Sequence, residues 1–491
     1  MVNRRARTAC SIAALGIMAG AAIAVHALAI ATARSEDPAL LGPGSKALLA
    51  VLFGFLLVLA CRHLAMLVLA TSEQWTNARA AAELPSEPLV SVIVPAFNEG
   101  AMIRAVLESL LALDYPNFEV LVIDDGSSDE TFVRALPFQR RRPQIECRVL
   151  AKPNGGKFDA LNHGIAHARG EIVVCIDGDS ILHRDALKHC VAHFADPRIG
   201  AVAGNVRVAN RGTAWSALQA LEYIAGYGLN KRAQSFARVV TIVPGPLGAF
   251  RKTALSAVNG YEGDTFAEDF DLTVKLLAAG WHIVYEPRAI VFTEAPERTL
   301  ELLKQRYRWT RGSLQALRKR RRGFFTPRRA PLRCIALWYL AAEYLALPAL
   351  HIAAQLIFVL SELFFQLPAL MLCWWLQLIV LECAVAAFCV AVEDESPWLI
   401  GLAPVFRVFY MVVLDVARLL AALEEFAAVG MNMEAFFIFL SHLVLFLSLS
   451  TVVFAFGAYA ALALRRRRPH ARRRETTPVT LIRRYVGDPH D

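Results

Sequence analysis

The hydrophobic positions of this 491-residue chain fall into long runs at both ends and short runs in the middle. Near the N-terminus, Cys10 to Ala33 carries no formal charge, and the apolar run from Lys46 to Thr71 is interrupted by Arg62 and His63. Runs of about 18 or more apolar residues are long enough to cross a bilayer as helices. The pattern therefore predicts two N-terminal membrane spans.

Four further long apolar runs follow the middle of the chain. They are Ile335 to Leu360, Gln366 to Val392, Trp398 to Leu423 and Ala435 to Leu464. The third contains Arg407, Asp415 and Arg418, so it either crosses the bilayer or lies in its interface. We expect all four to cross, which gives six spans; the interfacial alternative gives five.

Between about Val90 and Arg320 the pattern changes to short apolar runs separated by stretches of helical periodicity. The segments LVSVIVPAF, FEVLVIDD, ECRVLA and GEIVVCID are typical of buried strands, and helical stretches begin near Lys157 and Arg184. Strands that alternate with helices predict an α/β domain with a Rossmann-like, mostly parallel sheet covered on both faces.

Composition agrees with a membrane protein that has one soluble-type domain. The chain is 56% hydrophobic with a mean hydropathy of +0.42, which is high for a soluble protein of this length. Its nine cysteines include no Cys-x-x-Cys pair, which argues against a zinc site or a disulfide framework.

The net charge of +9 is concentrated beside the apolar runs. Eight Lys and Arg lie between Arg318 and Arg333, seven Arg lie between Arg465 and Arg474, and Arg4, Arg5 and Arg7 precede the first run. Such runs suit nucleic acid or the cytoplasmic flank of a span, and their position favours the flank. We therefore expect no nucleic-acid partner, and a multi-pass protein of the plasma (inner) membrane whose central domain is cytoplasmic.

These patterns divide the chain into five parts. We predict an N-terminal membrane region with two helices (1–87), a cytosolic domain (88–317), a basic interfacial helix (318–334), a C-terminal membrane block of three to four spans (335–464) and a basic cytosolic tail (465–491).

Polar and acidic residues follow three of the predicted strands. Asn98 and Glu99 follow the first, Asp125 follows the second, and Asp177 and Asp179 follow the fourth. In open sheets of this kind, ligands bind beyond the carboxyl ends of the strands. An isolated Asp-Gly-Asp is common in turns, but acids that converge on one edge suit Mg²⁺ or Mn²⁺ bound to a diphosphate.

Seven motifs in order make the region from Val90 to Leu317 similar to the processive family 2 glycosyltransferases. The motifs are IVPAFNEG, VIDDGSSDET, NGGKFDALNHG, DGD, GPLGAFR, FAEDFDLT and QRYRW. The segments around FAEDFDLT and QRYRW most resemble bacterial poly-β-1,6-N-acetylglucosamine synthases, and GPLG is also similar to hyaluronan and chitin synthases. The resemblance implies a GT-A fold and a membrane-integrated, inverting β-glycosyltransferase that polymerises, and exports, a glycan from a UDP-sugar, with UDP-N-acetylglucosamine expected.

The resemblance also implies roles for individual residues. Pro95, Asn98, Glu99, Asp125, Lys157 and Asp177 would bind the nucleotide sugar; Asp179 and Asp177 would hold Mg²⁺ or Mn²⁺; Gly245, Gln305, Arg308 and Trp309 would contact the acceptor and the diphosphate; Glu268 and Asp269 would be catalytic. Asp125 would accept a hydrogen bond from the uracil imide, although Asp-Gly-Ser is also good turn chemistry. Lys157 would face the diphosphate, although a solvated lysine fits the sequence equally well.

Asp269 is the residue we expect to act as general base. Single displacement at the anomeric carbon needs a carboxylate on the acceptor side to take the hydroxyl proton. FAEDFDLTVKLL predicts a loop entering a helix, so Glu268 and Asp269 lie at a helix N-terminus, where the helix dipole favours their ionised forms. An acid that only caps the helix is the structural alternative.

Several alternatives stay open at this point. The product could resemble hyaluronan, chitin or cellulose, or the sugar could pass to a lipid-linked acceptor without processive growth. A non-enzymatic glycan transporter or scaffold with a degenerate domain is a further possibility, although Asp177, Asp179, Glu268 and Asp269 are all retained. The expected partners are the UDP-sugar donor, the growing glycan, the lipid bilayer and small accessory membrane or export subunits. Arg62, Glu343 and Glu382 lie within predicted spans, where they either line a glycan path or pair between helices.

Overall fold

The computed structural model describes residues 43–77, 87–141, 145–325, 331–365 and 368–427, with a few isolated positions between 13 and 27. The predicted first span (10–33) therefore lies almost wholly outside the described residues. The predicted last span (435–464) and the basic tail (465–491) lie entirely outside them.

A nine-stranded sheet forms the centre of the region between the membrane helices, in the order β3-β4-β2-β1-β5-β8-β7-β9-β6. The strands are β1 (Val90–Ala96), β2 (Phe118–Asp124), β3 (Arg140–Arg141), β4 (Ile145–Ala151), β5 (Ile172–Cys175), β6 (Ile181–Leu182), β7 (Ile199–Val208), β8 (Gly248–Arg251) and β9 (His282–Thr293). Neighbours β4, β2, β1 and β5 are parallel, as are β7 and β9, whereas β3, β8 and β6 run the other way. The predicted α/β, mostly parallel sheet is confirmed.

Fifteen α-helical segments surround or flank this sheet in the described residues. They are α1 (Pro43–Asn77), α2 (Ile103–Leu111), α3 (Thr131–Ala135), α4 (Lys157–His167), α5 (Ala186–Ala192), α6 (Ala214–Ala225), α7 (Arg232–Phe236), α8 (Lys252–Ala257), α9 (Glu268–Ala278), α10 (Thr299–Lys319), α11 (Pro331–Ala341), α12 (Leu347–Phe365), α13 (Pro368–Val392), α14 (Ala403–Val405) and α15 (Met411–Ala427). Turns of π-helix join α6 to α7, α11 to α12 and α14 to α15.

Alternate side chains along each strand pack into separate cores on the two faces of the sheet. In β1, Val92 and Val94 pack into one core with α2 and α5, while Ile93 packs into a second core with α4 and α9. Successive side chains of a strand point to opposite faces, so a strand buried on both sides is apolar throughout. This is why the predicted strands appear as continuous apolar runs.

Four segments are long and apolar enough to cross a membrane. They are Ala50–Thr76, Pro331–Phe358, Trp374–Val392 and Pro397–Phe426, and they correspond to the predicted spans that fall within the described residues. In the last of them, Arg407 and Asp415 are buried in the protein interior. This burial favours the spanning interpretation of that run over the interfacial one, because an interfacial helix keeps its charges towards water.

The basic segment 318–334 is not one helix, which corrects the prediction. Helix α10 ends at Lys319, a 3₁₀ turn spans Arg321–Phe325, and the first C-terminal membrane helix begins at Pro331. Pro327 and Pro331 lack the backbone N–H that a continuous helix requires. Of the described basic residues, Arg318 and Lys319 therefore end α10, and Arg321 and Arg322 lie in the 3₁₀ turn that follows it.

A buried ion-pair junction joins the sheet domain to the membrane helices. Glu393, just after α13, accepts hydrogen bonds from Arg232 Nη2 at 2.6 Å and from Asn205 Nδ2 at 2.7 Å. Arg232 also lies 3.4 Å from Glu73 near the end of α1. Beside this group, Arg211 makes a two-pronged contact with Glu395 at 2.7 and 2.9 Å. The junction fixes two membrane helices, α1 and α13, against α7 and β7.

We predict that Glu393→Ala lowers the stability of the folded protein by about 3–5 kcal/mol, because it leaves the Arg232 guanidinium buried without its main partner. Thermal unfolding of the detergent-purified chain measures this change. The matched control is Glu301→Ala, which removes an exposed pair with Arg298 and should cost about 1 kcal/mol or less. Equal losses for both variants would contradict the role assigned to the junction.

Candidate active site

The carboxyl ends of β1, β2 and β5 meet at one edge of the sheet and present the predicted acids there. The backbone N–H of Asp125 donates to the carbonyl of Ala96 at 2.9 Å, and that of Ile176 donates to the carbonyl of Ile93 at 3.1 Å. The strand ends are therefore in direct contact. The acids that follow them converge as the sequence predicts.

The Asp177-Gly178-Asp179 turn packs closely against the end of β1. A Cβ added at Gly178 would lie 2.9 Å from the Pro95 carbonyl oxygen and 3.0 Å from Glu99 Cγ, so the turn has no room for a side chain there. Pro95 thus contributes its backbone to the site, and Glu99 reaches the two aspartates.

Burial and neighbouring acids raise the pKa of two carboxyl groups at this turn, those of Asp179 and Glu99. Burial raises the pKa of Asp179, and the charge of Asp177 adds to the effect. Burial, followed by Asp179 and Asp177, raises the pKa of Glu99 to about 7. Such crowding of acids is relieved by a divalent cation, and carboxylate oxygens are the ligands that Mg²⁺ and Mn²⁺ prefer. Asp177 and Asp179 therefore fit the cation the sequence predicts.

Lys157, the first residue of α4, connects this turn to the second acidic motif. Its Nζ lies 2.6 Å from Asp177 Oδ1 and 3.2 Å from Glu268 Oε1. Burial works against the charged amine, but Asp177, Glu268 and Asp269 outweigh it and raise the pKa of Lys157. A Cβ added at Gly245 would lie 2.9 Å from Lys157 Nζ, so the Gly245 loop closes directly over this ion pair.

Glu268 and Asp269 occupy the first turn of α9, and their environments separate their pKa values. Burial, followed by the charge of Glu268, raises the pKa of Asp269 to about 6. Burial opposes ionisation of Glu268 too, but Lys157 overcomes it and lowers the pKa of that carboxyl. The residue preceding the helix is Ala267, so neither acid is the helix N-cap. Asp269 instead has the pKa of a base that works near neutral pH.

Helix α10 carries Gln305, Arg308 and Trp309 to the wall of the same cavity as Asp269. Arg306, which the sequence does not single out, contacts two of these residues. It donates to Gln305 Oε1 at 2.5 Å, and its guanidinium lies 4.4 Å from the Trp309 ring centre. Arg306 is itself held by Glu222 at 2.6 Å. Arg306 lies inside the QRYRW motif, but nothing local marks Glu222, which is far away in the sequence.

Asp125 does not have the free carboxylate expected of a uracil ligand. Its Oδ1 accepts from Lys152 Nζ at 2.5 Å and from the Gly155 N–H at 3.0 Å, and its Oδ2 accepts from the Gly156 N–H at 2.8 Å. The residue ties β2 to the loop before α4. Asp124 Oδ1, by contrast, is buried without a hydrogen-bond partner among the described residues, so it is the open acceptor at this strand end.

Asn98 similarly holds the turn after β2. It has a left-handed backbone with φ of 57°, and its Oδ1 accepts from the Ser128 N–H at 2.9 Å. Asn98 and Asp125 thus hold the loops that follow β1, β2 and β4, whereas the cavity wall itself is formed by other predicted residues. Those that line the cavity are Lys157, Asp177, Asp179, Gly245, Glu268, Asp269, Gln305, Arg308 and Trp309.

This cavity, of about 550 Å³, continues from the acids to the membrane helices. Its membrane-side lining includes the predicted residues Arg62, Glu343 and Glu382, together with His351, Arg407, Asp415 and Arg418. Arg62 lies 3.2 Å from Glu343, and His351 Nδ1 lies 2.5 Å from Asp415 Oδ2. Arg62 and Glu343 therefore pair with each other, and all three predicted residues line the cavity.

A second acidic group lies outside the cavity and is neutralised by the protein itself. Glu262, Asp264 and Asp271 lie close enough together to share a cation. Lys319 contacts all three, and Arg320 contacts Glu262 at 2.9 Å and Asp271 at 3.2 Å. The group is an ion-pair cluster that ties α10 to α9.

Comparison with known proteins agrees with this geometry. A family model for "Glycosyltransferase like family 2" matches residues 87–312. Poly-β-1,6-N-acetyl-D-glucosamine synthase of Staphylococcus epidermidis is 35% identical over 231 residues, which are 46% of this chain and 55% of that protein. The synthase of the same name from Staphylococcus aureus (strain COL) is 34% identical over 229 residues, which are 46% of this chain and 55% of that protein. The chain thus spans about half the length of these curated relatives.

A solved structure shares the fold. The mannosyltransferase of Pyrobaculum calidifontis, in complex with GDP-mannose and Mn²⁺, superposes with a TM-score of 0.53 at 24% identity, covering 77% of this chain and 98% of that one. The fold of the central domain is therefore the predicted GT-A type. Together, the converging acids, the matched family model and the named relatives establish that the chain carries a family 2 glycosyltransferase domain, flanked by candidate membrane helices.

Proposed function

We propose that this protein is a membrane-integrated, inverting β-glycosyltransferase that extends a glycan from a UDP-sugar, with UDP-N-acetylglucosamine as donor and a poly-N-acetylglucosamine-type polymer as product. The relatives named as poly-β-1,6-N-acetyl-D-glucosamine synthases support the choice of sugar. The observation that carries the proposal is the single cavity, which is lined by Asp179 and Asp269 and continues to residues of the membrane helices. The catalytic domain would face the cytoplasm of a cell whose inner membrane holds the chain.

In the proposed reaction, an acceptor hydroxyl attacks the anomeric carbon of the donor while the nucleoside diphosphate departs. Asp269 takes the hydroxyl proton as the new glycosidic bond forms, and the configuration at the anomeric carbon inverts. Glu268, held ionised by Lys157, keeps negative charge beside Asp269 and so makes it a better proton acceptor.

The donor diphosphate would lie at the Asp177–Asp179 end of the cavity. Mg²⁺ or Mn²⁺ held by these acids would neutralise charge on the departing diphosphate. Lys157 and Arg308 supply further positive charge on the cavity wall. Gly245 leaves space for the diphosphate beside Lys157, because a side chain at position 245 would meet the Lys157 amine.

The growing glycan would leave along the membrane side of the cavity. Trp309, which is 36% exposed, offers a ring face on which an acceptor sugar can stack at the start of this path. Paired charges such as Arg62 with Glu343 offer hydrogen bonds to hydroxyls without a large net charge. We therefore propose that the same chain extends the polymer and moves it into the membrane block.

The direct test offers the purified chain radiolabelled UDP-N-acetylglucosamine, UDP-glucose or UDP-glucuronic acid with Mg²⁺ or Mn²⁺ and sizes the product. We expect a labelled polymer from UDP-N-acetylglucosamine, none from UDP-glucuronic acid, and loss of synthesis in EDTA because the acids need their cation. A product of one added sugar would favour a non-processive transferase. No transfer from any donor would favour a glycan transporter or scaffold.

Asp269→Asn should reduce transfer by at least about 10²-fold, the scale of a lost general base, while UDP affinity changes little. Turnover of radiolabelled donor and titration of UDP binding measure the two effects. The matched variant is Asp264→Asn, which removes a similar carboxylate from the ion-pair cluster outside the cavity and should leave transfer near wild type. Undiminished turnover in Asp269→Asn would remove that residue from the mechanism.

The pH dependence of kcat/KM should report the same carboxyl group. Because burial and Glu268 raise the pKa of Asp269 to about 6, its ionised, proton-accepting form predominates above that pH and is lost as the pH falls. We predict a kcat/KM that is level above about pH 7 and falls about tenfold per pH unit below about pH 5. A profile that is flat through this range would show that another group accepts the proton.

A further inference from the structure

A π turn on the cavity wall has polar groups that the proposed reaction does not use. Residues Gly226–Lys231 form this turn between α6 and α7, where an uninterrupted α-helix would otherwise run. Such π insertions occur frequently at functional sites, because they shift side chains away from ordinary helical positions. Here the turn places Tyr227, Asn230 and Lys231 on the cavity lining.

Asn230 contributes an unused acceptor. Its Oδ1 is buried and has no hydrogen-bond partner among the described residues. A buried amide oxygen without a hydrogen-bond donor lowers the stability of the folded protein. In native proteins such an oxygen therefore usually accepts a hydrogen bond from the protein or from a ligand.

Lys231, the next residue in the sequence, contributes unused donor capacity. The residue is 9% exposed, and its Nζ donates to the Ile242 carbonyl at 2.5 Å and lies 4.5 Å from the Tyr227 ring centre. Within the described part of the chain, no carboxylate forms an ion pair with it. An ammonium group has three N–H donors, so donor capacity is left over for a cavity ligand.

A sugar hydroxyl matches this pair of groups better than an anion does. A hydroxyl can donate to Asn230 Oδ1 and accept from Lys231 Nζ at once. An anionic ligand bound at this turn would lie near Asp269, the carboxylate whose charge acts on Lys231. That carboxylate therefore favours an uncharged sugar over a uronic acid at this position.

The location indicates the acceptor rather than the donor. The donor diphosphate is assigned to the Lys157 and Asp177 end, whereas Lys231 lies within the electrostatic reach of Asp269, the residue that must face the acceptor hydroxyl. We propose that the π turn is an acceptor-binding subsite in which Asn230 and Lys231 hydrogen-bond the hydroxyls of a neutral sugar residue of the growing glycan. This inference rests on the proposed transfer function and adds to it a specific set of acceptor contacts.

The test uses the full chain in detergent with UDP-N-acetylglucosamine, Mn²⁺ and a β-1,6-linked N-acetylglucosamine tetramer as acceptor. Asn230→Ala and Lys231→Met are each expected to raise the KM for the tetramer about tenfold, the scale of one lost hydrogen bond. The KM for the donor and the affinity for UDP should stay within about twofold of wild type, because the donor end of the cavity is unchanged.

Lys275→Met is the matched control for loss of a buried lysine. Lys275 Nζ also donates to backbone carbonyls, those of Gly260 at 2.5 Å and Val258 at 3.1 Å, and in addition pairs with Glu262 at 2.9 Å, but the residue does not line the cavity. This variant should lower thermal stability without raising the KM for the tetramer. A parallel rise in the acceptor KM in Lys275→Met would show that the effect is a general consequence of weakened folding, and would overturn the subsite.

The outcomes separate the subsite from the proposed function. Wild-type transfer to the tetramer with unchanged acceptor KM in both Asn230→Ala and Lys231→Met would overturn the subsite and leave the transferase intact. Absence of wild-type transfer from every UDP-sugar would overturn both. Each variant is interpreted only if it binds UDP like the wild type, so if one variant fails to fold the acceptor KM of the other decides the test.

Discussion

The arrangement of the site depends on the buried junction in which Glu393 binds Arg232 and Asn205. Arg232 immediately follows the π turn that ends at Lys231, and Glu393 immediately follows membrane helix α13. A second contact lies on the other side, where Tyr307 and Arg311 of α10 meet Glu424 of α15. Because removing one partner of a buried ion pair is costly, these junctions fix the domain against the membrane helices. The cavity can then continue from the sheet domain to the membrane helices.

Within that frame, the chemistry depends on how one amine is shared among several acids. Lys157 contacts Asp177 on the turn after β5 and Glu268 at the start of α9, and these two elements come from distant parts of the chain. Its charge keeps Glu268 ionised, and burial beside Glu268 raises the pKa of Asp269 to about 6. Two adjacent carboxyl groups thus have different pKa values because of their surroundings, as the proposed assignment of Asp269 as a base near neutral pH requires.

The parts of this structure that sequence could predict are those with local signals. Apolar runs mark β1, β2, β4 and β5, and the acids that follow β1, β2 and β5 lie at one edge because parallel strands end together. Local signals do not identify β3 or the strands from β6 to β9, and β7 to β9 complete the sheet through pairings distant in sequence. The prediction of one helix over 318–334 missed the end of α10 at Lys319 and the 3₁₀ turn at Arg321–Phe325. The resemblance implies that Asp125 binds uracil, whereas its contacts with Lys152 and Gly156 form only in the folded loop and have no local sequence signal. The Arg306–Glu222 pair and the cavity-lining groups of the π turn likewise depend on tertiary placement.

The central claim is that the acids of β5 and α9 face each other across one cavity that holds the nucleotide beneath the membrane helices. The most direct measurement is a cryo-electron microscopy structure of the full chain in a lipid nanodisc with UDP and Mn²⁺. We predict Mn²⁺ bound by Asp179, the diphosphate beside Lys157, and Asp269 facing the space where the sugar would lie. Nucleotide bound at a different surface, or separated from Asp269 by a closed wall of protein, would contradict the account.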